Sequence, residues 1–158
     1  GEMKDVVTET TFLDKDGEVK TIAGNEHDFS YRHSAFSSGE KLILSVKMSL
    51  TSKPAGEILD TMRDLNARRK EKQPLDQPSA GSTFKRPNGY FAAKLIEDAG
   101  LKGASVGGAS VSEKHAGFIV NNGGATCGDV VRLIEKVQET VFEKFGVGLE
   151  PEVKIIGR

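Results

Sequence analysis

Residues 73–90 carry Pro74, Pro78 and Pro87 together with Gly81 and Gly89, a density of rigid and permissive residues through which no helix can propagate. The segment therefore reads as a loop, and regular elements must form on either side of it. Upstream, Leu42, Leu44, Val46, Met48 and Leu50 fall on every second position, predicting a strand with five apolar side chains on one face. Before it, weak alternation over residues 4–22 around "DKDG" predicts a β-hairpin. After it, Pro54 and Gly56 mark a boundary, and Ile58, Leu59, Met62 and Leu65 recur at helical spacing up to the basic run "ARRKEK".

Downstream of the loop, "YFAAKLIEDAG" predicts a short helix capped by Gly100. The Gly-rich stretch 103–126 predicts short strands joined by tight turns, with "FIV" the clearest of them. Val130, Val131, Ile134, Val137, Val141 and Phe145 form an apolar stripe that ends at Gly146, the longest helix. "EVKIIG" predicts a closing strand, with Val153 and Ile155 on one face. Strands, helix, loop, helix, strands, helix and strand without regular βαβ repetition describe an α+β fold rather than a doubly wound sheet.

A chain of 158 residues supports one domain or two small lobes. Charged residues make up 28% and nearly cancel, to a net charge of −1, so anion binding has to come from local clusters rather than from overall charge. Cys127 is the single cysteine, which excludes an intrachain disulfide and fits a reducing compartment. Its place just before a helix reads as packed or helix-initiating. No apolar run approaches the roughly 20 residues of a membrane span. The opening Gly1-Glu2-Met3 has no leader and no initiating Met, as expected of a piece of something longer. His27, His33 and His115 lack the spacing of a metal helix, so no metal is assigned. "GASVGG" matches neither the Walker loop nor the dinucleotide fingerprint.

"PSAGSTFKRP" (78–87) leaves two readings open. Ser82 is either a turn serine satisfied by local hydrogen bonds or the hydroxyl of an anion site. The second draws on the cations around it: Arg68, Arg69, Lys70 and Lys72 before the loop, Lys85 and Arg86 after the serine.

Beyond residue types, "YRHSAF" (31–36), "RKEKQP" (69–74), "PSAGSTFKRP" (78–87), "AAKLIEDAGLKG" (92–103), "SEKHAGFIVN" (112–121) and "PEVKIIG" (151–157) occur in one order across nearly the whole chain. Together they resemble the carboxyl-terminal half of the UDP-N-acetylenolpyruvoylglucosamine reductases, also called UDP-N-acetylmuramate dehydrogenases. The resemblance implies an oxidoreductase of peptidoglycan synthesis in the bacterial cytoplasm. FAD, reduced by NADPH, reduces the enolpyruvyl group of UDP-N-acetylglucosamine-enolpyruvate.

Carried over by motif, Ser82 is the proton donor, Glu152 the acidic residue, and Arg32 the guanidinium that stabilises charge and borders the cofactor. Tyr31, Arg69, Lys72, Arg86 and His115 are substrate contacts, Arg86 toward the diphosphate. The short connection after "YRHSAF" resembles the shorter branch of the family, with Arg86 where the other branch has asparagine. The family's Gly-rich flavin-binding region is missing. Residues 1–50 are thus expected to be the end of a flavin-binding domain, and 51–158 the substrate-binding domain. The alternative is a non-enzymatic module that binds a nucleotide sugar. A nucleic-acid role lacks the aromatic interleaving it would need.

Overall fold

A computed structural model describes residues 1–157, which divide into two compact units, Gly1–Ile58 and Leu59–Arg158. Helices and two antiparallel sheets combine without βαβ repetition, as in an α+β protein.

The first unit is a three-stranded antiparallel sheet in the order β2-β1-β3. Strands β1 (Val7–Leu13) and β2 (Val19–Ala23) form the expected hairpin around "DKDG", where Asp14 Oδ1 accepts the backbone N–H groups of Asp16 and Glu18. Strand β3 (Leu42–Met48) pairs with the other edge of β1 through two irregularities of register. On one face of β1, Thr10 and Phe12 are buried. Phe12 meets the Phe36 ring edge-on at 5.3 Å, with the Lys41 ammonium over both rings.

His27 is buried beside them. Its Nδ1 lies 3.0 Å from the Gly24 carbonyl, which can only accept, so the ring proton is on Nδ1. Nε2 then accepts from the Thr10 hydroxyl at 2.9 Å. Strand β3 has no such cover: all seven residues are exposed, among them Leu42, Leu44, Val46 and Met48 of the alternating apolar face.

Helix α1 (Ala55–Lys72) begins in the first unit and ends in the second, and buries none of its residues. Its surface carries Arg63–Asp60 and Arg68–Asp64 ion pairs at helical spacing.

The second unit is a four-stranded antiparallel sheet in the order β4-β7-β6-β5, formed by β4 (Ser79–Ser82), β5 (Ser105–Val106), β6 (Ala109–Val111) and β7 (Phe118–Asn121). Helices α2 (Ala92–Asp98) and α3 (Cys127–Phe145) pack with it around one core. That core joins Leu95 and Ile96 of α2, Ala109, Val111 and Ile119 of the sheet, and Leu133, Ile134, Val137 and Val141 of α3. Each such aliphatic burial stabilises the unit by roughly 1.5–3 kcal/mol. The buried stripe of α3 starts at Leu133 and stops at Val141; Phe145, expected on it, is 39% exposed.

Thr126 caps α3: its hydroxyl accepts the Asp129 N–H at 3.1 Å while the Asp129 carboxylate accepts the Thr126 N–H at 2.8 Å. Together with Arg132, these bonds hold the Asp129 carboxyl below the usual carboxylate range. The Gly107-Gly108 turn between β5 and β6 packs directly on this cap. A Cβ on Gly108 would lie 2.5 Å from the Gly123 carbonyl oxygen, so only glycine fits there.

Two expectations change. Residues 73–90 are not loop throughout, because β4 forms between Pro78 and Thr83 as an edge strand, where proline next to the ladder costs nothing. Nor does 152–157 form a strand. Its pairing stops at a single bridge, Phe84 with Pro151, fastened by the Glu152–Thr83 and Lys85–Glu150 backbone bonds.

Candidate active site

Ser82 ends β4, directly after a bulge, opposite Phe118 of β7. The next residues are fastened on both sides. Thr83 N–H donates to the Gly117 carbonyl at 2.8 Å, and the Thr83 hydroxyl accepts the Ile119 N–H at 3.2 Å. From the other side Glu152 N–H donates to the Thr83 carbonyl, and Lys85 N–H to the Glu150 carbonyl, each at 2.8 Å. Glu152, 70 positions from Ser82 in the chain, is therefore tied through its backbone to Thr83, the residue next to Ser82.

The Ser82 hydroxyl has only a weak local commitment. Its donation to the Phe84 carbonyl spans 3.5 Å, the long limit of a hydrogen bond. Of the two cations behind it, Lys85 forms an ion pair with Glu150. The Arg86 guanidinium stacks 3.9 Å over the Phe91 ring and donates through Nε to the Tyr90 carbonyl at 3.3 Å.

His115 is tied into its own turn. Nδ1 accepts the Gly117 N–H at 3.1 Å and the ring meets Phe118 edge-on at 5.0 Å, which leaves the proton of the neutral ring on Nε2. Its neighbour Lys114 reaches the end of α1, where Nζ donates to the Lys70 carbonyl at 2.7 Å. Cations favour helix C-termini for this reason. This bond links Arg69 and Lys72, both in the last turn of α1, to the "SEKH" turn. Through Gly117 and Phe118 that turn is continuous with Ser82. Six of the eight expected site residues, Ser82, Glu152, Arg69, Lys72, Arg86 and His115, thus belong to the second unit.

Tyr31 and Arg32 belong to the first unit, where with Ser30, His33 and Phe29 they line a cavity of about 670 Å³. Arg32 has φ 55°, a left-handed backbone uncommon for a residue other than glycine. Its guanidinium lies 5.4 Å from the Tyr31 ring centroid, and His33 Nε2 pairs with Asp28 at 3.0 Å.

Sequence reasoning missed three supports: Thr83 as the tie between β7 and Glu152, Lys114 at the end of α1, and Phe91 beneath Arg86. None left a usable trace: in the sequence Phe91 reads as one of the apolar repeat with Leu95 and Ile96, but the structure leaves it exposed. Cys127 is helix-initiating and exposed rather than packed. Among the described residues, no three His, Cys, Asp or Glu side chains converge as a metal cage requires, and no helix is long and apolar enough to cross a membrane.

Residues 73–156, which hold most of this network, match the sequence profile of the UDP-N-acetylenolpyruvoylglucosamine reductase C-terminal domain. A UDP-N-acetylenolpyruvoylglucosamine reductase of Agathobacter rectalis is 59% identical over 157 residues, 99% of this chain and 50% of the relative. Another, from Caldanaerobacter subterraneus subsp. tengcongensis, is 57% identical over 99% of this chain and 52% of its own length. The crystal structure of UDP-N-acetylenolpyruvylglucosamine reductase from Thermus caldophilus superposes with a TM-score of 0.82 at 37% identity, covering 98% of this chain and 55% of that one. The chain spans about half the length of the curated relatives it matches. With a profile match over more than half its residues and those relatives alongside, the chain belongs to the UDP-N-acetylenolpyruvoylglucosamine reductase family, of which it represents the carboxyl-terminal portion.

Proposed function

We propose that this chain is the substrate-binding and proton-delivering part of a cytoplasmic enzyme that reduces UDP-N-acetylglucosamine-enolpyruvate to UDP-N-acetylmuramate for peptidoglycan. The observation that carries the reading is the backbone bond that ties Glu152 to Thr83, the neighbour of Ser82, inside the region that matches the family profile. On this reading residues 1–50 end a flavin-binding domain and 51–158 bind substrate. The exposed apolar face of β3 supports that division, since it is the surface of a sheet built to be covered by further polypeptide.

FAD fits this chain only in part. The Tyr31–Arg32 cavity offers a border for a flavin, but no Gly-rich pyrophosphate loop is present. The chain by itself therefore makes no complete FAD site, and NADPH is a co-substrate of the complete enzyme. When bound, the reduced flavin supplies hydride to the terminal carbon of the enolpyruvyl group. Everything else falls to side chains. Arg69, Lys72 and Arg86 hold the anionic groups of the nucleotide sugar, Arg86 at the diphosphate. Tyr31 and His115 line the bound substrate, and Arg32 stabilises the charge that develops beside the substrate carboxylate.

Ser82 then gives its hydroxyl proton to the adjacent carbon, which requires an approach of about 3 Å. A serine hydroxyl is a weak acid, so its transient alkoxide needs positive charge nearby. Lys85 and Arg86 follow it within four positions. Glu152 is the acidic group on the neighbouring segment.

The test separates the two half-reactions in the flavin-loaded full-length protein. Ser82→Ala leaves flavin reduction by NADPH unchanged and slows reoxidation by the enolpyruvyl substrate by about 10²–10⁴-fold. Equal loss of both half-reactions would remove Ser82 from the acid role. A protein that binds UDP-sugar and never a flavin would be the non-enzymatic module instead.

A further inference from the structure

Phe91 is a large aromatic left 61% exposed, although the helix it starts is anchored to the core by Leu95 and Ile96. Core packing does not account for it. Its ring instead lies under the Arg86 guanidinium at 3.9 Å, while the carbonyl of the preceding residue, Tyr90, accepts the Arg86 Nε–H. The intervening turn is closed by Tyr90 N–H donating to the Pro87 carbonyl at 3.1 Å and by Gly89 at φ 76°. The Phe91 carbonyl in turn accepts the Leu95 N–H at 3.1 Å, so the ring is seated on the first turn of the helix. Two independent contacts on one guanidinium, the ring below it and the carbonyl at its Nε, are thus supplied within five residues.

We propose that Phe91 is a positioning residue for diphosphate recognition: its ring holds the Arg86 guanidinium as an oriented fork facing the diphosphate of a nucleotide sugar. The proposal rests on the reading above that Arg86 grips that diphosphate. The five N–H donors of a guanidinium lie in its plane, so stacking on its face consumes none of them. It removes rotamer freedom that an unsupported arginine would lose on binding. Lysine, a point charge without a face, is attracted to such a ring but not oriented by it.

The test is titration of the full-length, flavin-loaded protein with UDP. Phe91→Leu keeps apolar bulk and removes the ring. It weakens UDP binding roughly 3- to 5-fold, the upper range of a cation–π contact at an exposed site. Phe91→Tyr restores the ring and binds within about twofold of wild type. In an Arg86→Ala background, Phe91→Leu adds less than about twofold, because the ring acts only through the guanidinium.

Unchanged UDP affinity in Phe91→Leu overturns the proposal. So does an equal loss with and without Arg86, or a failure of Phe91→Tyr to rescue. The last two readouts hold even if Phe91→Leu lowers stability. A wild-type protein that does not bind UDP overturns the functional reading as well, whereas a UDP-binding wild type indifferent to Phe91 overturns this inference alone.

Discussion

In the sheet of residues 59–157, Val111 and Val120 are almost inaccessible and α3 seals the core with Leu133, Val137 and Val141; in the sheet of residues 1–58 every residue of β3 faces solvent. Both sheets are antiparallel and both are rich in β-branched and aliphatic residues. What differs is the cover. The second sheet has two amphipathic helices of its own, and the first has a single buried patch around Thr10, Phe12 and His27. A sheet with an uncovered strand buries less apolar area against the entropy of ordering it. The second unit closes a core of its own, whereas the first leaves the apolar face of β3 exposed.

This contrast can be broken by mutation. Leu133→Ala removes a fully buried side chain and costs the second unit about 2–5 kcal/mol, read as a lower midpoint in urea by a probe in α3. Leu44→Ala in β3 of this chain changes stability by no more than about 0.5 kcal/mol. A large cost at Leu44 would mean that the first unit is already covered.

Acid sharpens the contrast from another side. The Asp129 carboxyl is held below the ordinary carboxylate range by the Thr126 N–H first, then by the Thr126 hydroxyl and Arg132. A depressed pKa in the folded state means stabilisation that is complete above about pH 4, the unfolded value, and that fades as pH falls through the folded one. Asp129→Asn accordingly melts a few degrees below wild type at pH 7, and the gap closes toward pH 2–3. Melting curves across that range check it, and a gap that is constant with pH would assign the loss to packing rather than to charge.

Much of this organisation was legible in the residues. The hairpin, β3, all three helices and the Gly146 cap follow from local periodicity and capping, whereas the proposed site residues rest on motif resemblance alone. What stayed hidden was non-local. Strand β4 lies in a proline-rich stretch whose composition argues for loop, and forms only because β7 offers an edge. The 150–152 segment is recognised by Thr83 and Lys85, about 67 positions away, which leaves no periodic signal. Exposure was also unreadable: the alternation of β3 looks like any half-buried strand, and only the missing cover distinguishes it. The left-handed Arg32 left no mark either, because nothing about an arginine announces a positive φ.

Amide hydrogen exchange along the chain tests the asymmetry most directly. The account predicts slow exchange in 118–121 and 133–141, approaching the limit of global unfolding, and exchange orders of magnitude faster in 42–48 despite its strand geometry. Equal protection of 42–48 and 118–121 in this chain alone would contradict it.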